Sequence, residues 1–136
     1  MSELGKVYTI RNGKTDDIPF IMSTWLRGLY YGNEFFGIMP KDIFMDNYKH
    51  ICEALINKST IKVACLIEDE DVILGYAILS PDLTTLHWAF VKNAFRNKGI
   101  SKDLLPKYFS VFTHFSTLGL SLVKKYVDLT FNPFSV

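Results

Sequence analysis

Between residues 96 and 101 the chain reads Arg96-Asn97-Lys98-Gly99-Ile100-Ser101, with two cations, a glycine and a small hydroxyl residue in close succession. A strand-like run ends ahead of it at Val91, and an amphipathic pattern begins behind it with Lys102-Asp103-Leu104-Leu105. A chain that enters a helix this way leaves successive backbone N–H groups unpaired. Together with the positive end of the helix dipole they suit an anion, a phosphate above all. Gly99 permits a backbone angle and a close approach that a side chain would block. Arg96 and Lys98 add charge. The plainer alternative is an ordinary strand-turn-helix capped by Ser101.

Three histidines could move a proton near neutral pH. His87 lies in the run Thr84 to Val91. Strict alternation there puts Thr85, His87, Ala89 and Val91 on one face and Leu86, Trp88 and Phe90 on the other. His114 lies in a further strand candidate, flanked by Thr113 and Ser116. A lone strand histidine is more often structural than catalytic, and both readings stand for each. His50 falls in an amphipathic helix and reads as a surface or boundary residue. Cys52 and Cys65 have neither CxxC spacing nor nearby His ligands. They read as buried free thiols in a reducing cytoplasm, and no metal site is expected.

The elements that must position these groups follow from periodicity and turn chemistry. Lys6 to Arg11 is a strand candidate, stopped by the turn pair Asn12-Gly13. Thr15 offers an N-cap for a helix through Ile18, Ile21, Met22, Trp25, Leu26 and Leu29, with Pro19 in the first turn. Tyr30 to Pro40, aromatic and broken by glycines, reads as a loop. Lys41 to Asn57 forms a second helix. Thr60 to Ile67, Val72 to Ser80 and Thr84 to Val91 are strand-length apolar runs joined by turns, the first of them the solvated acidic Glu68 to Asp71, which predicts an antiparallel meander. After Gly99 come a helix through Leu104, Leu105, Tyr108 and Phe109, a strand from Val111 to Ser116, a short helix from Leu118 to Tyr126 and a last strand from Val127 to Phe131. The order is β-α-α-β-β-β-α-β-α-β, an α+β plan of helices on a mixed, mostly antiparallel sheet, expected as one domain over residues 1–136.

A chain of 136 residues can bury a core without disulfide or metal staples, and 49% apolar with 21% charged residues is an ordinary soluble balance. Aromatic residues reach 15%, enough to line a pocket as well as fill a core. Fifteen Lys and Arg against fourteen Asp and Glu give a net charge of +1. Local excesses at Arg96, Lys98 and Lys102 and at Lys124-Lys125 suit one phosphorylated ligand. They do not make the cationic face that nucleic-acid binding draws on. No apolar run reaches the length of a membrane span, and the first residues carry no secretory signal, so a cytoplasmic protein without membrane partners is expected.

The segment Val91 to Ser101 resembles the acyl-CoA loop of the GNAT (GCN-type N-acetyltransferase) superfamily. In that family a strand ending in Val is followed by Gln/Arg-x-x-Gly-x-Gly/Ala at a helix start. Here the pattern is Arg96-x-x-Gly99-x-Ser101, with Ser101 replacing the last small residue. The element order is similar to the family's too, and Ile10-Arg11 with Thr15-Asp16-Asp17 resembles its first strand and helix start. Leu86-His87-Trp88-Ala89-Phe90-Val91-Lys92 and Phe131-Asn132-Pro133 also resemble phrases in short GNAT-like reading frames of phages and bacteria.

The resemblance implies acetyl transfer from acetyl-CoA to an amine by direct attack. Arg96, Asn97, Lys98, Gly99, Ile100 and Ser101 would hold the coenzyme's pyrophosphate. Ala89, Phe90 and Val91 would offer their backbones to its pantetheine arm, beside a splayed fifth strand. The family often places a glutamate base on the fourth strand. None is present here, so His87 is the expected base and His114 the alternative. Tyr126 would take the place of the tyrosine that protonates the departing thiolate. Tyr30, Tyr31 and Phe36 would flank the acceptor. The partners implied are a CoA thioester and an amine acceptor, with a homodimer as an allowed assembly. Two other readings share the fold: a binding module with a degenerate site, and a nucleic-acid-modifying enzyme of phage type.

Overall fold

The computed structural model describes residues 7–96, 98–107, 109–114 and 129–136. Strand β1 (Tyr8–Asn12) opens the chain, and β2 (Thr60–Leu66), β3 (Ile73–Leu79) and β4 (Thr85–Val91) follow as an antiparallel meander. Short strands β5 (Val111–Phe112) and β6 (Thr130–Phe131) then add in parallel, giving a six-stranded sheet in the order β1-β2-β3-β4-β5-β6. This is the α+β architecture expected from the sequence.

Between β1 and β2 lie α1 (Ile18–Tyr31), a four-residue helix α2 (Glu34–Gly37) and α3 (Lys41–Lys58). The segment expected as a loop therefore holds α2, whose Asn33 side chain accepts the N–H of Phe35. One turn is too short to show a helical period. The start of α1 also differs from expectation. Thr15 belongs to a 3-10 turn, Thr15–Asp17, and makes no cap. Asp17, the residue before α1, makes no side-chain cap on it either: its carboxylate reaches back to accept the Lys14 N–H at 2.7 Å and receives Arg11 Nη1 and Nη2 at 2.7 and 2.9 Å. Arg11 also donates to the Glu70 carbonyl, so one guanidinium ties β1, the entry to α1 and the acidic β2–β3 turn together.

Two cores flank the sheet. One face carries Trp25, Phe44, Cys52, Tyr76, Ile78 and Trp88 under α1 and α3, with Trp25 stacked on Trp88 at 6.3 Å. The other carries Tyr8, Leu74, Ala77, Ala89, Val91 and Phe112 under α4 (Ile100–Leu104). That helix stops well before Tyr108 and Phe109, where the amphipathic pattern placed it. Leu105 turns extended at φ −90° and ψ 144° because Pro106 follows, and a residue before proline is pushed out of the helical region. The expected helix Leu118 to Tyr126 lies outside the described residues, as do most of the strand extensions on either side of it. Among the described residues no helix is long and apolar enough to cross a membrane.

Candidate functional site

Among the described residues, strand β4 is paired on both sides only at its start. β5 meets it at Thr85 and Leu86, and Thr113 N–H bonds the Leu86 carbonyl at 3.0 Å. Past His114 the chain that would continue beside β4 lies outside the described residues. Which peptide groups of β4 face that side follows from the β3 register. Lys92 N–H bonds the Leu74 carbonyl at 2.9 Å, so Leu74 and Lys92 are a hydrogen-bonded pair. Alternation along an antiparallel ladder makes Tyr76–Phe90 and Ile78–Trp88 hydrogen-bonded too. Ala89 and Val91 sit in the intervening pairs, and their N–H and C=O groups point away from β3, toward the β5 side of the strand. Among the described residues the only group on them is Arg96, whose Nε donates to the Val91 carbonyl at 3.0 Å.

The register slips by one between Ile78 and Leu79, opposite Trp88 and Leu86, which makes His87 the extra residue of a β-bulge. The bulge breaks the simple alternation. Leu86 joins Ala89 and Val91 in the core beneath α4, while Trp88 packs under α1. His87 accordingly does not share a face with Ala89 and Val91. Its contacts lead across β5 toward α3.

Those contacts form a chain. His87 Nδ1 lies 2.9 Å from Thr113 Oγ1, which lies 2.9 Å from His114 Nδ1, and His114 Nε2 lies 2.9 Å from the Tyr48 hydroxyl. His87, Thr113 and His114 are buried and Tyr48 is half-buried. The His114 ring stands edge-on to Trp25 and to Tyr48. Burial lowers the His87 pKa, assisted by the charge of Lys58. Burial takes His114 down to about 4, assisted by His87, with the His87 backbone acting the other way. Burial raises the Tyr48 phenol to about 12. All three groups are therefore neutral at pH 7.

The chain ends at the aromatic corner. Phe36 packs on Tyr48 and Phe44, and Tyr30 packs on Phe44 while donating its hydroxyl to the Met39 carbonyl at 2.7 Å. Tyr31 is 64% exposed, with Lys41 Nζ 5.3 Å above its ring. Of the rings expected around the acceptor, Phe36 touches Tyr48, Tyr30 reaches it through Phe44, and Tyr31 packs edge-on against Tyr30.

At the loop, Gly99 takes φ +87° and ψ 1° and precedes α4. A β carbon on it would find its nearest neighbour, the Tyr8 hydroxyl oxygen, at 3.8 Å. The demand on Gly99 is therefore its left-handed backbone rather than crowding. Tyr8 also donates its hydroxyl to Asp103, fastening α4 to β1 beside the loop. Lys98 and Arg96 are exposed, Ser101 is half-buried, and Ile100 is buried as an anchor in the core. A five-residue helix has a weak dipole, so the cations and the N–H groups must do most of the work at an anion. Asn97 and Tyr126 lie outside the described residues.

Sequence reasoning missed Tyr48, Thr113, Tyr8 and Asp103. The adjacent polar pair Thr113-His114 inside an apolar strand was the one visible signal.

A meander extended by a parallel β4–β5 pair, with a Gly-led helix after β4, is the geometry on which the comparisons turn. No protein-family model matches the sequence, and no curated protein matches it. Solved structures do. A Pyrococcus furiosus protein assigned as an acetyltransferase superposes with a TM-score of 0.60 at 17% identity, covering 92% of this chain and 81% of that one. The fold is the GNAT fold. A GCN5-related N-acetyltransferase from Rhodopseudomonas palustris gives 0.51 at 12% identity, covering 73% of this chain and 61% of that one. The apo-form YjaB of Escherichia coli gives 0.51 at 16%, covering 73% and 62%. The chain thus spans about three-fifths of the length of the latter two proteins. At these identities, what is shared is the fold.

Proposed function

We propose that this GNAT-fold chain is an N-acetyltransferase that moves an acetyl group from acetyl-CoA to an amine. The observation that carries the reading is the far edge of β4, where Ala89 and Val91 turn their peptide groups away from β3 and, among the described residues, meet only Arg96. An extended, amide-bearing arm can add to such an edge as a strand would, with main-chain hydrogen bonds supplying the affinity. The Gly99 loop lies at the end of the same strand, so a pyrophosphate joined to that arm would reach Lys98, Gly99 and Ser101. In this pose Arg96 exchanges the Val91 carbonyl for phosphate.

The chemistry needs three things of the protein. It must hold the thioester carbonyl near a fixed N–H that stabilises the developing oxyanion, and the Ala89 N–H, which faces away from β3, is the candidate. It must place the amine nitrogen within reach of that carbonyl, a task for Tyr30, Tyr31 and Phe36. It must also manage protons. The attacking ammonium loses one, the amide nitrogen loses a second as the intermediate collapses, and the departing thiolate gains one. His87 is the proton-handling group at β4, with His114 behind it.

A thiol-release assay with acetyl-CoA over a panel of amines tests the reading. Amine-dependent release of CoA is expected for at least one class of acceptor. Saturable CoA binding without release on any amine would leave a binding module.

A further inference from the structure

The Thr113 hydroxyl carries a single hydrogen, yet it stands 2.9 Å from the Nδ1 atoms of both His87 and His114. It can donate to only one of them, and must then accept from the other. In neutral imidazole one nitrogen bears hydrogen and the other a lone pair. The two rings must therefore hold opposite tautomers, one with hydrogen on Nδ1 and the other on Nε2. Two lone pairs facing Thr113 would leave one of them unbonded. Two N–H groups would leave the buried Thr113 hydrogen without an acceptor among the described residues, and buried polar groups left unsatisfied are costly.

Tyr48 sets the direction. Among the described residues its hydroxyl has one partner, His114 Nε2, and the phenol is satisfied by donating to it. His114 then carries its hydrogen on Nδ1 and gives it to Thr113 Oγ1. Thr113 gives its own to His87 Nδ1, and His87 is left with a hydrogen on Nε2.

A neutral imidazole is a very poor acid on its own, because losing Nε2–H leaves an anion. It becomes a usable one if Nδ1 is protonated in the same event. We propose that His87, Thr113, His114 and Tyr48 form one proton wire through which neutral His87 gives its Nε2 hydrogen to the departing CoA thiolate. The step balances. The thiolate gains the Nε2 proton, and His87 Nδ1 takes the Thr113 proton. Thr113 then takes the His114 Nδ1 proton, His114 Nε2 takes the Tyr48 proton, and Tyr48 takes one from solvent. No residue ends charged, and the wire is left with its direction reversed. Among the described residues, Lys58 and Cys52 on α3 are the other titratable groups that act on it, Lys58 on His87 and Cys52 on Tyr48. His87 is the catalytic residue here, and Thr113, His114 and Tyr48 are positioning residues.

This inference rests on the transferase reading, and its test separates the two. The 15N NMR shifts of the imidazole nitrogens report tautomers on the protein without substrate. The expected result is one Nε2–H ring, His87, and one Nδ1–H ring, His114. Thr113→Val and Tyr48→Phe keep the bulk of each side chain; the first should abolish the pairing of opposite tautomers, and the second should leave them opposite but free to take either direction. Both should lower kcat about 10- to 100-fold while leaving the KM for acetyl-CoA unchanged. Thr113→Ser should restore both the tautomers and the rate. Like tautomers in the parent protein, or full turnover in Thr113→Val, would overturn the wire. Opposite tautomers in a protein that releases no CoA with any amine would overturn the transfer reading and the thiolate step, leaving the hydrogen-bonded order intact.

Discussion

Gly28 of α1 lies directly on the indole of Trp88: a β carbon on the glycine would stand 2.9 Å from Trp88 Cζ2. The helix therefore approaches β4 as closely as a side chain would otherwise forbid, and Trp88 stacks on Trp25 in the space created. A mid-helix glycine ordinarily costs about 1 kcal/mol relative to alanine, so packing has prevailed over propensity here.

Gly28→Val should reverse that outcome. The extra methyl groups meet a ring fixed on two sides, and overpacking of this kind costs about 2 kcal/mol. Chemical denaturation should show a lower midpoint with an unchanged slope. Parent-like stability would mean that α1 can lift from β4 without loss.

Gly99→Ala separates backbone from bulk at the loop. There is room for the β carbon, but φ +87° is left-handed, where an alanine costs about 1–2 kcal/mol. The variant should fold, lose about that much stability, and bind CoA more weakly as the loop shifts toward an allowed angle. Calorimetric titration measures the second effect. CoA affinity equal to the parent's would detach the loop from the pyrophosphate.

The pH dependence of stability should fall in two windows. His114 titrates at about 4 when folded and near 6.5 when unfolded, so the unfolded chain takes the proton first. Its contribution is complete above pH 6.5 and is lost as pH falls toward 4, a change of about 3 kcal/mol by linkage. His114→Gln should flatten that limb of a urea-unfolding profile. Asp17 acts lower. Hydrogen bonding from Arg11 holds its folded pKa below the ordinary carboxylate value, so its contribution persists above that value and disappears as pH falls through the folded one. Arg11→Gln should raise the acid-unfolding midpoint and leave the His114 limb alone. A profile flat from pH 7 to 4 in the parent would contradict the burial of His114.

The meander was legible because β2, β3 and β4 are apolar runs bounded by turns, and the Gly99 loop because glycine and cations punctuate a strand-to-helix junction. Three features were not. The bulge at His87 depends on how β4 registers against β3, which no pattern within β4 records. The early stop of α4 was written in Pro106 but masked by the apolar spacing around it. The hydrogen-bonded array joins positions 48, 87, 113 and 114, and only the folded sheet brings them within reach of one another.

Acetyl-CoA binding tests the central claim most directly. If the edge of β4 and the Gly99 loop hold the donor, calorimetry should show one saturable site. At a hundred times the dissociation constant the ligand should stabilise the fold by about 2.7 kcal/mol, visible as a rise in Tm. No heat of binding and no shift in Tm at millimolar acetyl-CoA would contradict the account.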